Sequence, residues 1–244
     1  MRTILAVLVA FLSFSAFAGA AFAKDIVDPK PFEKLLKKHV DNKGGVNYAA
    51  WKENAEDKAA LDAFVTAIGS ASVEGDDSGK LAFYINAYNA LVLKSVIDRY
   101  PIESVMKVPG FFKEAKHTVA GRELTLDQLE NEVIRKEFAE PRIHFVLVCA
   151  AKSCPPLQRK AATTKNLEGF LESSAKSFIP KATKVKEGKI TTSKLFEWFK
   201  DDFVTKEGSV PKYLAKYAPE HKEALLSEGA AITFGHYSWK LNKQ

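Results

Sequence analysis

The sequence predicts an α+β fold: a single compact domain of helices around a small sheet, with two hairpins and a buried central helix. Three observations carry this. Helical and short hairpin segments are mixed without regular strand–helix alternation, which argues against a doubly wound parallel sheet. The segment "LAFYINAYNALVLKSVIDRY" has apolar residues on more than one face at helical spacing, so it reads as a buried helix. The dipeptides Ala120-Gly121 and Glu187-Gly188 each separate two short runs that read as strands.

The elements follow in order. The first stretch, "MRTILAVLVAFLSFSAFAGAAFA", carries one charged residue, Arg2, then an apolar run ending in Ala21-Phe22-Ala23. It is expected to be a secretory signal peptide cleaved after Ala23, leaving residues 24–244 as one domain of a periplasmic or secreted protein. The alternative is a retained anchor, since an apolar run of about 20 residues can span a bilayer. "PKPFEKLLKKHV" places Phe32, Leu35, Leu36 and Val40 on one helical face, and "EDKAALDAFVTAIGS" does the same with Leu61, Phe64, Val65 and Ile68. The central helix ends at Pro101. After the first hairpin, "TLDQLENEVIRKEF" reads as a short helix with Thr125 as N-cap and Gln128 as its capping-box partner.

"RIHFVLVCA" is expected to be a strand buried on both faces. "TTKNLEGFLESSAKSFI" reads as a helix, the second hairpin follows, and "SKLFEWFKDDF" is a short helix. "SVPKYLAKYAPEHKEALLSEG" gives two helices split near Pro219, and "AAITFGHYSWKLN" closes as a strand with an aromatic tail.

The formal net charge is +6, with lysines spread among acids. A nucleic-acid binder would show a dense basic stripe with interleaved aromatics, so none is expected as partner. A weak attraction to anionic envelope components is the reading of this charge. The expected substrate is a small molecule or peptide. No cofactor and no metal are expected, because the chain lacks a phosphate-binding glycine loop, a Gly-x-Ser-x-Gly elbow and close Cys or His ligand pairs.

The chemistry concentrates on the two cysteines. Alternation along the expected strand puts Cys149 on an apolar face, as a small core residue. Cys154 precedes Pro155-Pro156, which suits the N-cap of a short helical turn, "PPLQ". A thiol there faces the positive end of the peptide dipoles, so its thiolate is favoured. The alternative is a tight loop holding an inert, half-buried thiol. A Cys149–Cys154 bridge closes only a very tight loop and needs a sharp reversal, so it is the less favoured state.

A nucleophilic cysteine needs a base. His117, on a hairpin strand, and His144, at the start of the expected strand, are the candidates; extended chain would carry His144 up to ~33 Å from Cys154. His39 and His221 lie in charged helical segments and read as solvated, and His236 lies in the terminal strand. Asn86 and Asn89 share a face of the buried helix and need partners there: they tie it to neighbouring backbone, orient a histidine or donate to an oxyanion. Glu130 is a candidate orienting carboxylate.

"FYINAYNALVLKSVI", "HTVAGRELTLDQLENEVIR", "PRIHFVLVCAAKSCPPL", "LFEWFKDDF" and "YSWKLN" together resemble the family of domain of unknown function 547, DUF547. The resemblance implies motif positions at Asn86, Tyr88, Asn89, His117, Glu130, His144, Cys149, Cys154, Pro155 and Pro156. It also implies relatives among exported bacterial proteins. In papain-like and transglutaminase-like enzymes the cysteine sits on a central helix, whereas this central helix presents Asn86 and Asn89. Ser238 stands where the family pattern has aspartate in Tyr-Asp-Trp, so that charge is missing here. The leading expectation is an exported thiol-dependent enzyme of acyl transfer or amide hydrolysis: Cys154 as nucleophile, His117 or His144 as base, and Glu130, Asn86 or Asn89 orienting it. The alternatives are a non-catalytic binding or scaffold module and a redox protein using Cys149 and Cys154.

Overall fold

The computed structural model describes residues 24–244, and the expected signal peptide, residues 1–23, lies outside them. Three helices open the described chain: α1 (Lys30–His39), α2 (Tyr48–Glu53) and α3 (Ala55–Gly69). The carboxamides of Asn47 and Asn54 cap α2 and α3, accepting from the backbone N–H of Ala50 and Asp57. Helix α4 (Asp77–Arg99) is the buried central helix that the sequence predicts, capped by Asp76 and buried at every residue from 81 to 93.

Strands β1 (Lys116–Val119) and β2 (Arg122–Thr125) form the first hairpin around Ala120-Gly121. Both turn residues have positive φ, 50° and 73°, which matches the right-handed twist of the strands they join. Their N–H groups donate to the carbonyls of Ile68 and Gly69 at 3.0 and 2.8 Å, so the hairpin turn satisfies the end of α3. Thr125 and Gln128 form the expected capping box at the start of α5 (Leu126–Gln128). That helix widens through a π-type turn, Leu129–Ile134, into α6 (Arg135–Phe138), and Glu130 sits in the wide turn. Such turns recur at functional sites.

Next come α7 (Leu167–Ala182), β3 (Lys184–Lys186), β4 (Lys189–Thr192), α8 (Leu195–Trp198), α9 (Lys200–Glu207), α10 (Val210–Tyr217), α11 (Lys222–Leu226) and β5 (Ile232–Phe234). The second hairpin turns at Glu187-Gly188 as expected, and β5 adds to β4 in parallel. The described chain therefore holds a two-stranded and a three-stranded sheet among its helices, an α+β fold. The terminal strand is shorter than the sequence suggests, and His236 lies beyond it, exposed. His39 is a further correction: it is buried, stacked on Trp51, and its Nε2 lies 2.7 Å from Asp57 Oδ2.

The main correction concerns residues 142–150. They do not form a strand: Pro141–Phe145 is a tight 3-10 turn and the following residues run without a ladder. Their burial is as expected, because the segment lies at the seam of two apolar clusters. Ile143, Val146, Leu147 and Val148 join the larger cluster around α4, while Phe145 joins an aromatic cluster with Phe196, Phe203 and Tyr213. The expected helical turn at 155–158 is likewise absent, so Cys154 is not its N-cap.

Candidate functional site

Asn89 replaces the missing strand partner. Its Nδ2 donates to Val146 O and its Oδ1 accepts from Val148 N, both at 2.9 Å, so one carboxamide pairs the backbone as a neighbouring strand would. Asn86 does the same for Ala162, at 2.7 and 2.9 Å. The two asparagines thus tie the helix to neighbouring backbone and hold both ends of the cysteine loop against α4.

The loop then reverses at Ala150, whose φ is 60°, and is laced to the C-terminal tail. Lys152 N donates to Lys240 O at 2.7 Å, Asn242 N to Ala150 O at 3.0 Å, and Ser238 N to Ser153 Oγ at 2.8 Å. At the family's aspartate position, Ser238 therefore contributes backbone contacts to the residue before Cys154. Gly44 makes a second anchor: a Cβ there would lie 2.6 Å from Pro156 Cα, so only glycine lets the 41–45 turn seat on the loop.

The reversal brings the sulfurs together. Cys149 and Cys154 form a disulfide with Cα atoms 6.4 Å apart, which corrects both the free-thiol expectation and the reading of Cys149 as core filler. Both residues are half-buried. The hydroxyl of Tyr237 lies 3.3 Å from Cys149 Sγ and 3.2 Å from Cys154 Sγ, and Cys149 N donates to Cys154 Sγ at 3.1 Å.

This disulfide forms part of the wall of a cavity of about 260 Å³. Tyr88, Glu130, His144, Tyr237, Trp198 and Trp239 also line it. Trp198, Tyr237 and Trp239 pack on one another, with ring centroids 4.7 to 5.9 Å apart, and Trp198 is exposed at the rim with Met106. Glu130, Asp127, His144 and Lys113 are the charged or titratable side chains in the cavity lining besides the tyrosines and cysteines. Burial pushes the Glu130 carboxyl up to about 7, against the opposing pull of a hydrogen bond from Tyr88. Burial, and then Glu130, hold the Tyr88 hydroxyl well above its usual range.

His144 shares the cavity because the chain folds back, where an extended run would have carried it away. Its ring stacks on Phe199 at 3.8 Å, and its Nε2 lies 2.7 Å from Asp202 Oδ2. Burial lowers its pKa more than Asp202 raises it, so the neutral ring donates to that carboxylate. Arg135 grips the same carboxylate through Nε and Nη2, both at 2.8 Å. Among the described residues, the hydrogen-bond partners of Cys154 Sγ are Tyr237 and Cys149, and His144 is bonded elsewhere. His117 stands apart, on β1, outside the lining of this cavity. Burial and the nearby Arg99 lower its pKa, and its Nε2 is buried without a hydrogen-bond partner.

Residues 74–179 match the family model described as protein of unknown function, DUF547. The chain carries a DUF547 domain. No curated protein and no solved structure matches it. The matched DUF547 range holds α4, the first hairpin, Glu130, His144 and both cysteines, whereas Trp198, Asp202 and Tyr237 lie beyond it. Sequence reasoning missed those three as site residues, along with Arg135. The signal was in "LFEWFKDDF" and "YSWKLN", motifs that carry Trp198, Asp202 and Tyr237.

Proposed function

We propose that this is an exported protein of thiol–disulfide exchange, acting on a small molecule or peptide held in the aromatic cavity. The observation that carries this reading is that Cys149 and Cys154, joined as a disulfide, both line that cavity. The leader-like first stretch, ending in Ala21-Phe22-Ala23, supports export to an oxidising compartment where such a bridge persists.

Cys154 Sγ has one hydrogen-bond donor more than Cys149 Sγ, the N–H of Cys149, so it is the better leaving thiolate. A substrate thiolate attacks Cys149 Sγ. The S–S bond breaks and its electron pair leaves on Cys154. A second thiolate of the substrate then attacks the substrate sulfur of the mixed disulfide and releases Cys149. The substrate loses two electrons and two protons and becomes a disulfide; the protein gains both as two thiols. Glu130, with its pKa near 7, acts as a proton store beside these thiols.

Equilibration in glutathione buffers, acid quench, alkylation and intact-mass measurement test this. The pair is expected to interconvert at a potential above about −300 mV, the range below which structural bridges lie. A bridge that stays closed at that potential overturns the proposal.

Glu130 also favours a second reading for the reduced form. Cys154 then gives its proton to Glu130 and attacks an ester carbonyl, the alcohol leaves with that proton, and water hydrolyses the thioester to release the acid and restore the thiol. Ester turnover should appear only after reduction and vanish in Cys154→Ser; turnover by the bridged protein excludes it.

A further inference from the structure

The segment Cys154-Pro155-Pro156 has a second side. Away from the aromatic cavity it lines a depression of about 270 Å³, together with Lys43, Lys152 and Lys243. Pro156 and Lys43 continue into a longer groove of about 800 Å³, where Arg159, Lys160 and Lys181 join the lining. Asp41 is the only carboxylate among the described residues that line either space, and its Oδ1 is turned to the backbone N–H groups of Lys43 and Gly45 at 2.7 and 2.8 Å. The partners of Arg159 are neutral, Asn42 Oδ1 and Lys37 O, and Lys181 donates to Ser177. Among these named cations the lining carboxylate is thus outnumbered, and the acids that act on them, Glu33 on Lys160 and Glu103 on Lys243, lie outside the lining.

One side of the groove is α7. Gly169, Ser173, Ser177 and Lys181 recur every four residues along one face and line the space, and nothing lies within contact distance above Gly169. At 1.5 Å per residue this floor runs ~18 Å. It is small in side chain from Gly169 through Ser177 and shares the space with lining cations.

We infer that this groove binds an acidic polypeptide segment in extended form and presents the residues that follow it to the Cys149–Cys154 bridge. An extended chain rises ~3.4 Å per residue, so the floor takes about five residues. Clustered cations in a concavity focus their field on such a ligand. A bilayer presents its headgroups as a plane, which a trough of this shape does not meet. Only the presentation step rests on the thiol-exchange reading; binding stands without it.

The experiment uses two labelled peptides, each with an extended hexaglutamate or hexaglutamine stretch followed by a pair of cysteines. Anisotropy with the bridged protein should show the glutamate peptide binding at least roughly tenfold tighter at low salt, with the difference fading as salt screens it. Lys43→Glu/Lys160→Glu, both exposed positions, should abolish the preference while leaving the circular dichroism unchanged. Equal binding of the two peptides, or a preference that survives the double variant, overturns the groove. So does binding to phosphatidylglycerol vesicles without any peptide preference. Bridge reduction by each peptide is followed in parallel. Faster reduction by the glutamate peptide supports presentation; selective binding without it keeps the groove and overturns that step.

Discussion

The β1–β2 hairpin and the cysteine loop, residues 143–157, each carry a histidine that sequence offered as a base, and they are built in opposite ways. The hairpin closes on itself. Its register pairs His117 with Leu124, and its turn needs only two residues with positive φ. The cysteine loop has no ladder of its own. Beyond a few local turn bonds, its backbone partners are Asn89, 57 and 59 residues away, and the terminal tail, as far off as Lys240 and Asn242. The locally built region leaves its histidine beside Arg99 with Nε2 unpartnered. The non-locally built one gathers His144, Glu130, Tyr237 and both sulfurs around one cavity. Chemistry collects where distant segments converge, because only there do side chains from several elements face a common space.

Asn89→Ala is the strongest way to break this contrast. It leaves Val146 O and Val148 N buried and unsatisfied, at a cost of roughly 3 kcal/mol or more. Urea unfolding measures the loss. Native-state hydrogen exchange should show residues 146–154 opening while 116–125 keep their protection; equal loosening of both would end the distinction.

Glu130→Gln sharpens it through pH. In the fold Glu130 holds its proton up to about 7, against 4.5 for the unreacted side chain. Between those values the folded state binds the extra proton, so stability falls as pH rises, by about 3 kcal/mol in total. Glutamine removes that fall. The variant should match the parent near pH 4 and exceed it at pH 8 in urea titrations; a gap that does not widen with pH would place Glu130 in a solvated setting instead.

The smallest effect belongs to the hairpin. Ala120 holds a left-handed φ of 50°, a conformation that costs a non-glycine residue about 1 kcal/mol. Ala120→Gly should raise the melting temperature slightly and leave the redox behaviour of the bridge unchanged. A shift in that redox behaviour would mean that the two regions are coupled.

Much of this was legible from residue patterns. The central helix followed from apolar residues on several faces, the capping box from Thr125 and Gln128, and both hairpins from their turn dipeptides. The cysteine segment misled because a continuous apolar run reports burial, and burial at a seam between two clusters reads the same as burial in a sheet. Asn89 shows why: a carboxamide can substitute for a strand, and nothing local announces it. The bridge was disfavoured for a similar reason. The reversal at Ala150 is imposed by the tail, Ala150 itself being no turn-former. His39 read as solvated from its charged neighbours, whereas Trp51 and Asp57, on other helices, bury and pair it.

By itself the sequence determined the elements whose information is local: helix faces, caps, two turns, and the family to which residues 74–179 belong. Only the tertiary structure decided that Cys149 and Cys154 meet, that His144 and not His117 shares their cavity, and that the Cys-Pro-Pro segment parts an aromatic cavity from a basic groove. The physical reason is range. Propensity and periodicity act over a few residues, while this site is held by hydrogen bonds between segments 57 to 92 residues apart, and such pairings exist only once the chain has packed.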